Sequence, residues 1–226
     1  MGSLAGKRRD TFGLALNELR VRVRDGRAAP GTPLMVSDLA EELKLSPTPV
    51  REALAWLAGE GLIESQRGGE GGYRVRRLSL RAVEDLYALQ DLLLAATVLP
   101  DPGPIWPLGS ARAQVERALS QLQDVGEDVV RATETLFGGA MAGMRNRVVW
   151  QVHIRLADRL AIVRRVEACL FADLPNELMG MALAYDAGSL NWRDALASYA
   201  ERRAGRLAHV LEELDPPPGL SNILTI

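Results

Sequence analysis

Cysteine and histidine are almost missing from this chain. The single cysteine, Cys169, cannot close an internal disulfide, which fits a reducing compartment. The two histidines, His153 and His209, are too few for a metal centre that needs several converging soft-nitrogen ligands. Neither has an evident carboxylate partner in sequence, and no nucleophile–base pair or phosphate loop is recognisable, so the expectation is a protein that is not an enzyme. Long apolar runs are missing too. The longest, Leu92 to Pro100, falls far short of the roughly 20 residues of a membrane span. The start, Met1-Gly2-Ser3 and then Lys7-Arg8-Arg9-Asp10, has no hydrophobic centre of the kind a secretory signal requires. These absences lead to the expectation of a cytoplasmic protein with no membrane association.

What is present is ordinary for a folded protein: 47% hydrophobic and 25% charged residues in a chain of 226, room for one large domain or two modest ones. The net charge of −2 argues at first against a nucleic-acid partner, but the charge is unevenly placed. Residues 1–78 hold 13 basic and 10 acidic side chains, whereas residues 79–226 hold 14 and 19. A mildly basic first third joined to an acidic remainder suits a DNA reader with a separate regulatory body, although local patches and not totals set the field at a phosphate.

Along the chain, residues 11–28 carry helical apolar spacing (Phe12, Leu14, Leu16, Leu19, Val21, Val23), and Pro30-Gly31-Thr32-Pro33 stops it. Ser37 is a candidate cap for a short helix over 38–43. Ser46 is the candidate cap of the next, which opens Pro47-Thr48-Pro49-Val50-Arg51. Two prolines there are tolerable only if Ser46 is the cap. They then fall at the first and third helical positions, where no backbone N–H is needed for the helix. Val50, Leu54 and Leu57 form its buried stripe, while Thr48 and Arg51 fall off it. Segments 62–66 and 73–77 read as strands joined by the glycine-rich turn 67–72. From Ser79 to about Leu214 the pattern is helical, in six segments over 79–98, 110–124, 127–144, 147–171, 175–187 and 191–214, with no expected sheet.

The span from Val36 to Val75 resembles the DNA-binding domain of the GntR family of bacterial regulators. The resemblance rests on Asp38-Leu39-Ala40, on Leu45-Ser46-Pro47-Thr48-Pro49-Val50-Arg51-Glu52-Ala53-Leu54, on Leu57 and Glu60-Gly61-Leu62-Ile63, and on Gly72 and Val75. It implies a winged helix-turn-helix whose second helix of the motif enters a DNA groove. Arg51 would grip a guanine edge, while Ser37, Ser46, Thr48 and Pro49 would lie at the DNA face. Arg67, Gly68 and Gly72 would bring the wing to the minor groove or backbone. The chain departs from the family where Pro47 stands in place of a frequent Arg, and its wing is longer.

The helical remainder resembles the FadR-type (FCD) effector domain, through Ser79 to Tyr87, Phe137 followed by Asn146, and the closing helix from Ala195 to Leu207. Many members hold a metal through one Asp and three His. The aligned positions here are Glu134, Gly138, Leu178 and Arg202, so no metal and no other cofactor is expected. The family's Arg and Glu on the first bundle helix are replaced by Gln90 and Leu94. Candidate effector contacts are Gln90, Glu134, His153 and Arg202, although Arg202 could equally sit on the solvent face of Glu201-Arg202-Arg203, and His153 could simply be a satisfied core or surface residue.

The expected fold is therefore mostly α. A winged helix-turn-helix of three helices plus a β-hairpin wing occupies 1–78, an all-α bundle of about six helices for effector binding and dimerisation occupies 79–215, and a tail follows over 216–226. The expected function is a homodimeric transcription regulator on a short inverted-repeat DNA operator, modulated by a small carboxylate or apolar acid. The alternative is a DNA-binding protein whose helical domain only dimerises.

Overall fold

A computed structural model describes residues 10–66, 72–98, 109–120 and 125–214. They divide into two compact units, with the boundary between Arg77 and Leu78. The loop prolines at 100, 102, 104 and 107, Trp106 and the tail beyond Leu214 lie outside the described residues.

In the first unit, helix α1 (Thr11–Arg24) starts where the Asp10 carboxylate accepts the Gly13 N–H at 2.9 Å. It ends short of the expected residue 28, because Gly26 takes a left-handed turn (φ 73). Strand β1 (Pro33–Leu34) follows, then α2 (Val36–Leu43), α3 (Pro47–Gly59) and strands β2 (Ile63–Ser65) and β3 (Tyr73–Val75). The three strands form one antiparallel sheet in the order β1-β3-β2, with Glu64 and Pro33 both opposite Arg74. The sequence reading foresaw the hairpin but not β1, since two residues are too few to display alternation. Its seat is made by the backbone: Gly31 N–H donates to Val75 C=O at 2.8 Å, and Val75 N–H donates to Thr32 C=O at 3.0 Å. Gly31 has φ 85, a left-handed backbone that favours glycine, while an added Cβ would only displace the end of the flexible Arg77 side chain 2.8 Å away.

Ser37 is not a cap. The chain leaves β1 at Leu34 and turns at the extended residue Met35, so α2 begins one residue before Ser37, whose hydroxyl donates to Asp38 Oδ1 at 2.8 Å. Ser46 does precede α3 in an extended conformation, but its hydroxyl makes no capping bond. Such a hydroxyl accepts the N–H of the second or third helical residue, and here the third is Pro49. Ala15, Leu19, Leu39, Val50, Ala53, Leu54, Leu57, Ile63 and Val75 fill the core of this unit.

The second unit holds the other six helices seen among the described residues: α4 (Leu80–Ala96), α5 (Ala111–Leu119), α6 (Val125–Gly143), α7 (Arg147–Leu170), α8 (Leu174–Ala187) and α9 (Ser189–Leu214). Their limits fall within a few residues of the periodic segments. The starts are fixed chemically. Ser79 accepts Ala82 N–H at 3.2 Å, Ser110 accepts Ala113 N–H at 3.1 Å, and Asn146 accepts Val148 N–H at 3.0 Å. Asp186, on α8, adds its two carboxylate oxygens to the N–H groups of Ala111 and Arg112 at 2.8 and 3.0 Å, closing the open end of α5 from another helix. Phe137, Leu160, Leu178, Trp192 and Tyr199 lie at the centre. The ring of Phe137 meets Tyr199 edge-on at 5.3 Å. The Trp192 indole N–H is satisfied by Thr97 Oγ1 at 2.8 Å, which ties the end of α4 to the start of α9.

Candidate functional site

The amino end of α3 is exposed on one side and locked on the other. Val50, Ala53, Leu54 and Leu57 are wholly buried, which fixes the rotation of the helix about its axis. Ser46, Thr48, Arg51 and Glu52 then face outward on the opposite side. Pro49, expected at the DNA face, is buried instead, so its ring packs inside the unit while its neighbours point out. With prolines at the first and third positions, two N–H groups that a helix start would offer a phosphate are gone. The turn must therefore rely more on side chains: the Ser46 and Thr48 hydroxyls, with Arg51 one turn further on. Ser37 is exposed on α2.

One cation at this edge went unnoticed in the sequence. Lys44 sits in the tight turn between α2 and α3, exposed and in the left-handed conformation with φ 54. A lysine in a position that favours glycine or asparagine was the available signal. In the wing, Gly72 accepts the Gln66 N–H at 2.8 Å and closes the hairpin. Arg67 and Gly68 lie outside the described residues.

The interior of the helical unit carries a second cluster, which the sequence reading met only in part. Gln90 on α4 is 1% exposed and its carbonyl accepts from Arg164 Nη2 on α7. His153, also on α7, is buried beside the Trp150 ring and feels the Arg164 charge. Arg202 is half-exposed and donates to Glu177 Oε1 at 2.5 Å, while the buried partner of that carboxylate is Arg203, whose Nη1 lies 2.5 Å from Oε2. Arg203 further stacks on the Tyr199 ring at 3.8 Å and approaches Glu167 at 3.7 Å. Glu167 accepts the Tyr87 hydroxyl at 3.0 Å. Glu134 is half-buried and has a partner of its own. Arg164 and Arg203 are thus the buried cations that the sequence reading missed. Among the described residues no group of three or more His, Cys, Asp or Glu side chains could hold a metal ion, and no helix is long and apolar enough to cross a membrane.

Burial, with help from Arg164, pushes the His153 imidazole down to about 4 from an unfolded value near 6.5. A depressed histidine favours the neutral form in the folded state, so the unfolded chain binds the extra proton between these values. Its contribution to stability is intact above pH 6.5 and declines as the pH falls towards 4. Asp91, raised to about 6 by burial, has the opposite sign and is stabilising over a similar range. The clean measurement is the difference between the wild type and His153→Gln in chemical denaturation. The wild type should lose stability relative to the variant from pH 6.5 to pH 4, and parallel curves would refute the assignment.

Residues 15–72, from within α1 to the residue before β3, match the family described as bacterial regulatory proteins, gntR family. No curated protein sequence matches the chain. Among solved structures the chain is similar to E. coli McbR/YncC, with a TM-score of 0.71 at 18% identity over 88% of this chain and 98% of that one. It is similar to a GntR transcriptional regulator from Rhodococcus sp. RHA1, with a TM-score of 0.68 at 18% identity over 88% and 97% of the two chains. A third likeness is to Lar, described as controlling expression of the Listeria monocytogenes agr system, with a TM-score of 0.57 at 14% identity over 93% and 100%. At these identities the three structures establish a common fold across both units. The domain match, which takes in α3 and the first half of the hairpin, identifies residues 15–72 as a domain of the gntR family.

Proposed function

We propose that the protein acts as a homodimer on a short inverted-repeat operator in the cytoplasm, and that a small molecule held in its FCD-like helical unit alters its grip on DNA. The observation that carries the DNA half of this reading is the α3 start: a helix pinned by four wholly buried side chains, with Ser46, Thr48 and Arg51 left outside. Arg51 reads a base edge through two hydrogen bonds, and the hydroxyls and Lys44 hold phosphates. Ser37, on the exposed face of α2, is a further backbone contact, and the wing with Arg67, Gly68 and Gly72 lies along the groove beside it.

Two-fold pairing of protomers accounts for an operator of two half-sites. In the helical unit, Leu92, Val148 and Leu190, each at least 66% exposed, supply apolar surface for the second copy. No metal enters this reading. The subfamily's ligand positions carry Glu134, Gly138, the buried Leu178 and the cation Arg202, a set with one carboxylate that does not fit a divalent ion. Regulation then requires that the ligand bind the DNA-competent and DNA-incompetent arrangements with different affinity.

Selection from a pool of random duplexes by the purified protein tests the proposal. Enriched sequences should contain an inverted repeat with half-sites about one helical turn apart, occupied by two protomers per duplex. Recovery of no preferred sequence, or of a single unrepeated half-site bound by one protomer, would overturn it.

A further inference from the structure

Arg164 is buried with no carboxylate in ion-pair contact, the Glu167 charge reaching it only from further off. It lies on the inward stripe of α7, in phase with His153, Ala157, Leu160 and Glu167, and is 2% exposed. One N–H, on Nη2, is met by Gln90. Nε and Nη1 have no partner, and neither does the Gln90 amide nitrogen beside them. Among the described residues no carboxylate lies within ion-pair distance of this guanidinium, because the nearby acids are committed elsewhere. Glu177 takes Arg202 and Arg203, and Glu167 takes the Tyr87 hydroxyl and faces Arg203. An arginine cannot escape its charge by losing a proton, and an unpaired buried cation is strongly unfavourable. Helices α4 and α7 thus hold a cation two of whose guanidinium nitrogens, Nε and Nη1, have no hydrogen-bond partner.

We infer that this interior point is the anchor of a small monocarboxylate, seated on Arg164 and Gln90. Unmet donors on a buried cation call for one anionic acceptor. Because Nη2 carries two hydrogens and Gln90 takes one, a two-pronged fork remains for a carboxylate, through Nη2 with either Nε or Nη1. The Gln90 amide supplies a further donor. The body of the ligand is apolar or aromatic, since the neighbours are rings: Phe137 lies 5.9 Å from the guanidinium carbon, and Tyr199 packs on Phe137. A dicarboxylate would bring a second charge with no cation to receive it. The inference rests on the reading of the helical unit as a ligand-responsive one, and it names both the ligand class and the side chains that hold it.

Calorimetric titration of the full chain with sodium benzoate and sodium hexanoate, against succinate and chloride, tests it. At least one monocarboxylate should bind once per protomer, and succinate and chloride should bind more weakly. Arg164→Met should lose about a hundredfold or more in affinity, the loss expected for two charge-assisted hydrogen bonds. Gln90→Leu, which keeps the cation, should lose about tenfold, as for one bond, and serves if the methionine variant does not fold. Binding of neither acid, or equal binding by both variants and the wild type, would overturn the inference. If the acid binds through Arg164 yet leaves operator affinity unchanged, the anion site stands and the ligand-controlled regulator falls.

Discussion

Arg51→Ala is expected to weaken binding to the preferred duplex by about 1–3 kcal/mol, roughly fivefold to 150-fold, while leaving affinity for an unrelated duplex nearly unchanged. The asymmetry follows from position. Arg51 is exposed on α3 one turn beyond its start, where buried Val50 and Leu54 prevent the helix from rolling to turn it away. A phosphate contact would behave differently: its loss weakens all duplexes alike and lowers the salt dependence by about one counterion. Titrations of both duplexes at two salt concentrations separate these outcomes. An equal loss on both duplexes would move Arg51 from base reading to backbone holding. Dimerisation and thermal stability should not change, since the side chain is exposed and has no role in the core.

Glu177→Ala should destabilise the helical unit by about 3–5 kcal/mol, a large share of the roughly 5–15 kcal/mol that holds a domain folded. Glu177 and Arg203 are each 4% exposed at the side chain and 2.5 Å apart. Burial alone would push the Arg203 guanidinium down, but Tyr199, Glu167 and Glu177 around it more than offset that and keep it charged. Without Glu177 the cation is left with Glu167, whose own carboxyl is raised by burial. Pairing the change with Arg203→Met should recover much of the loss, because well-packed apolar residues commonly replace a buried ion pair at little cost. Denaturant unfolding of the four proteins of this cycle gives the coupling. A single-variant loss below about 1 kcal/mol would mean that water reaches the pair and screens it as at a surface.

Much of this molecule is readable from its residues because local chemistry and tertiary structure agree. The two prolines after Ser46 make sense only at a helix start, and they mark one. Six apolar-periodic stretches after Ser79 become six helices, several with their serine or asparagine caps in place. The failures are instructive. β1 is made by backbone partners around Gly31 and Thr32, and two residues leave no alternation to detect. Ser37 lost its capping role because an upstream strand dictated where the chain turns. Ser46 kept its position but not its bond, and one of the two amides open to it belongs to Pro49.

The interior charges escaped for a different reason. Apolar patterning assigns arginine to the solvent, so Arg202 drew notice only through its place at a subfamily ligand position, and Arg203 drew none. Yet Tyr199, Arg203, Leu207, Val210 and Leu214 share one stripe of α9, and that phase was open to inspection. Arg164 shares a stripe with Leu160 in the same way. A cation in register with a buried stripe is the signal, and one step along a helix, about 100° of rotation, separates it from its solvated neighbour.

The carboxylate of Asp186 that closes α5 stands 75 residues downstream of the amide it meets, and the Thr97–Trp192 bond spans 95 residues. Partners so far apart in sequence are brought together only after a long loop has closed, which slows assembly. On the ribosome, the DNA-reading unit has all its partners once its first 77 residues have emerged. The helices behind it must wait, incompletely joined and with apolar faces uncovered, until α9 is synthesised. A nascent chain arrested between α8 and α9 is therefore the stage at which this protein most needs a chaperone.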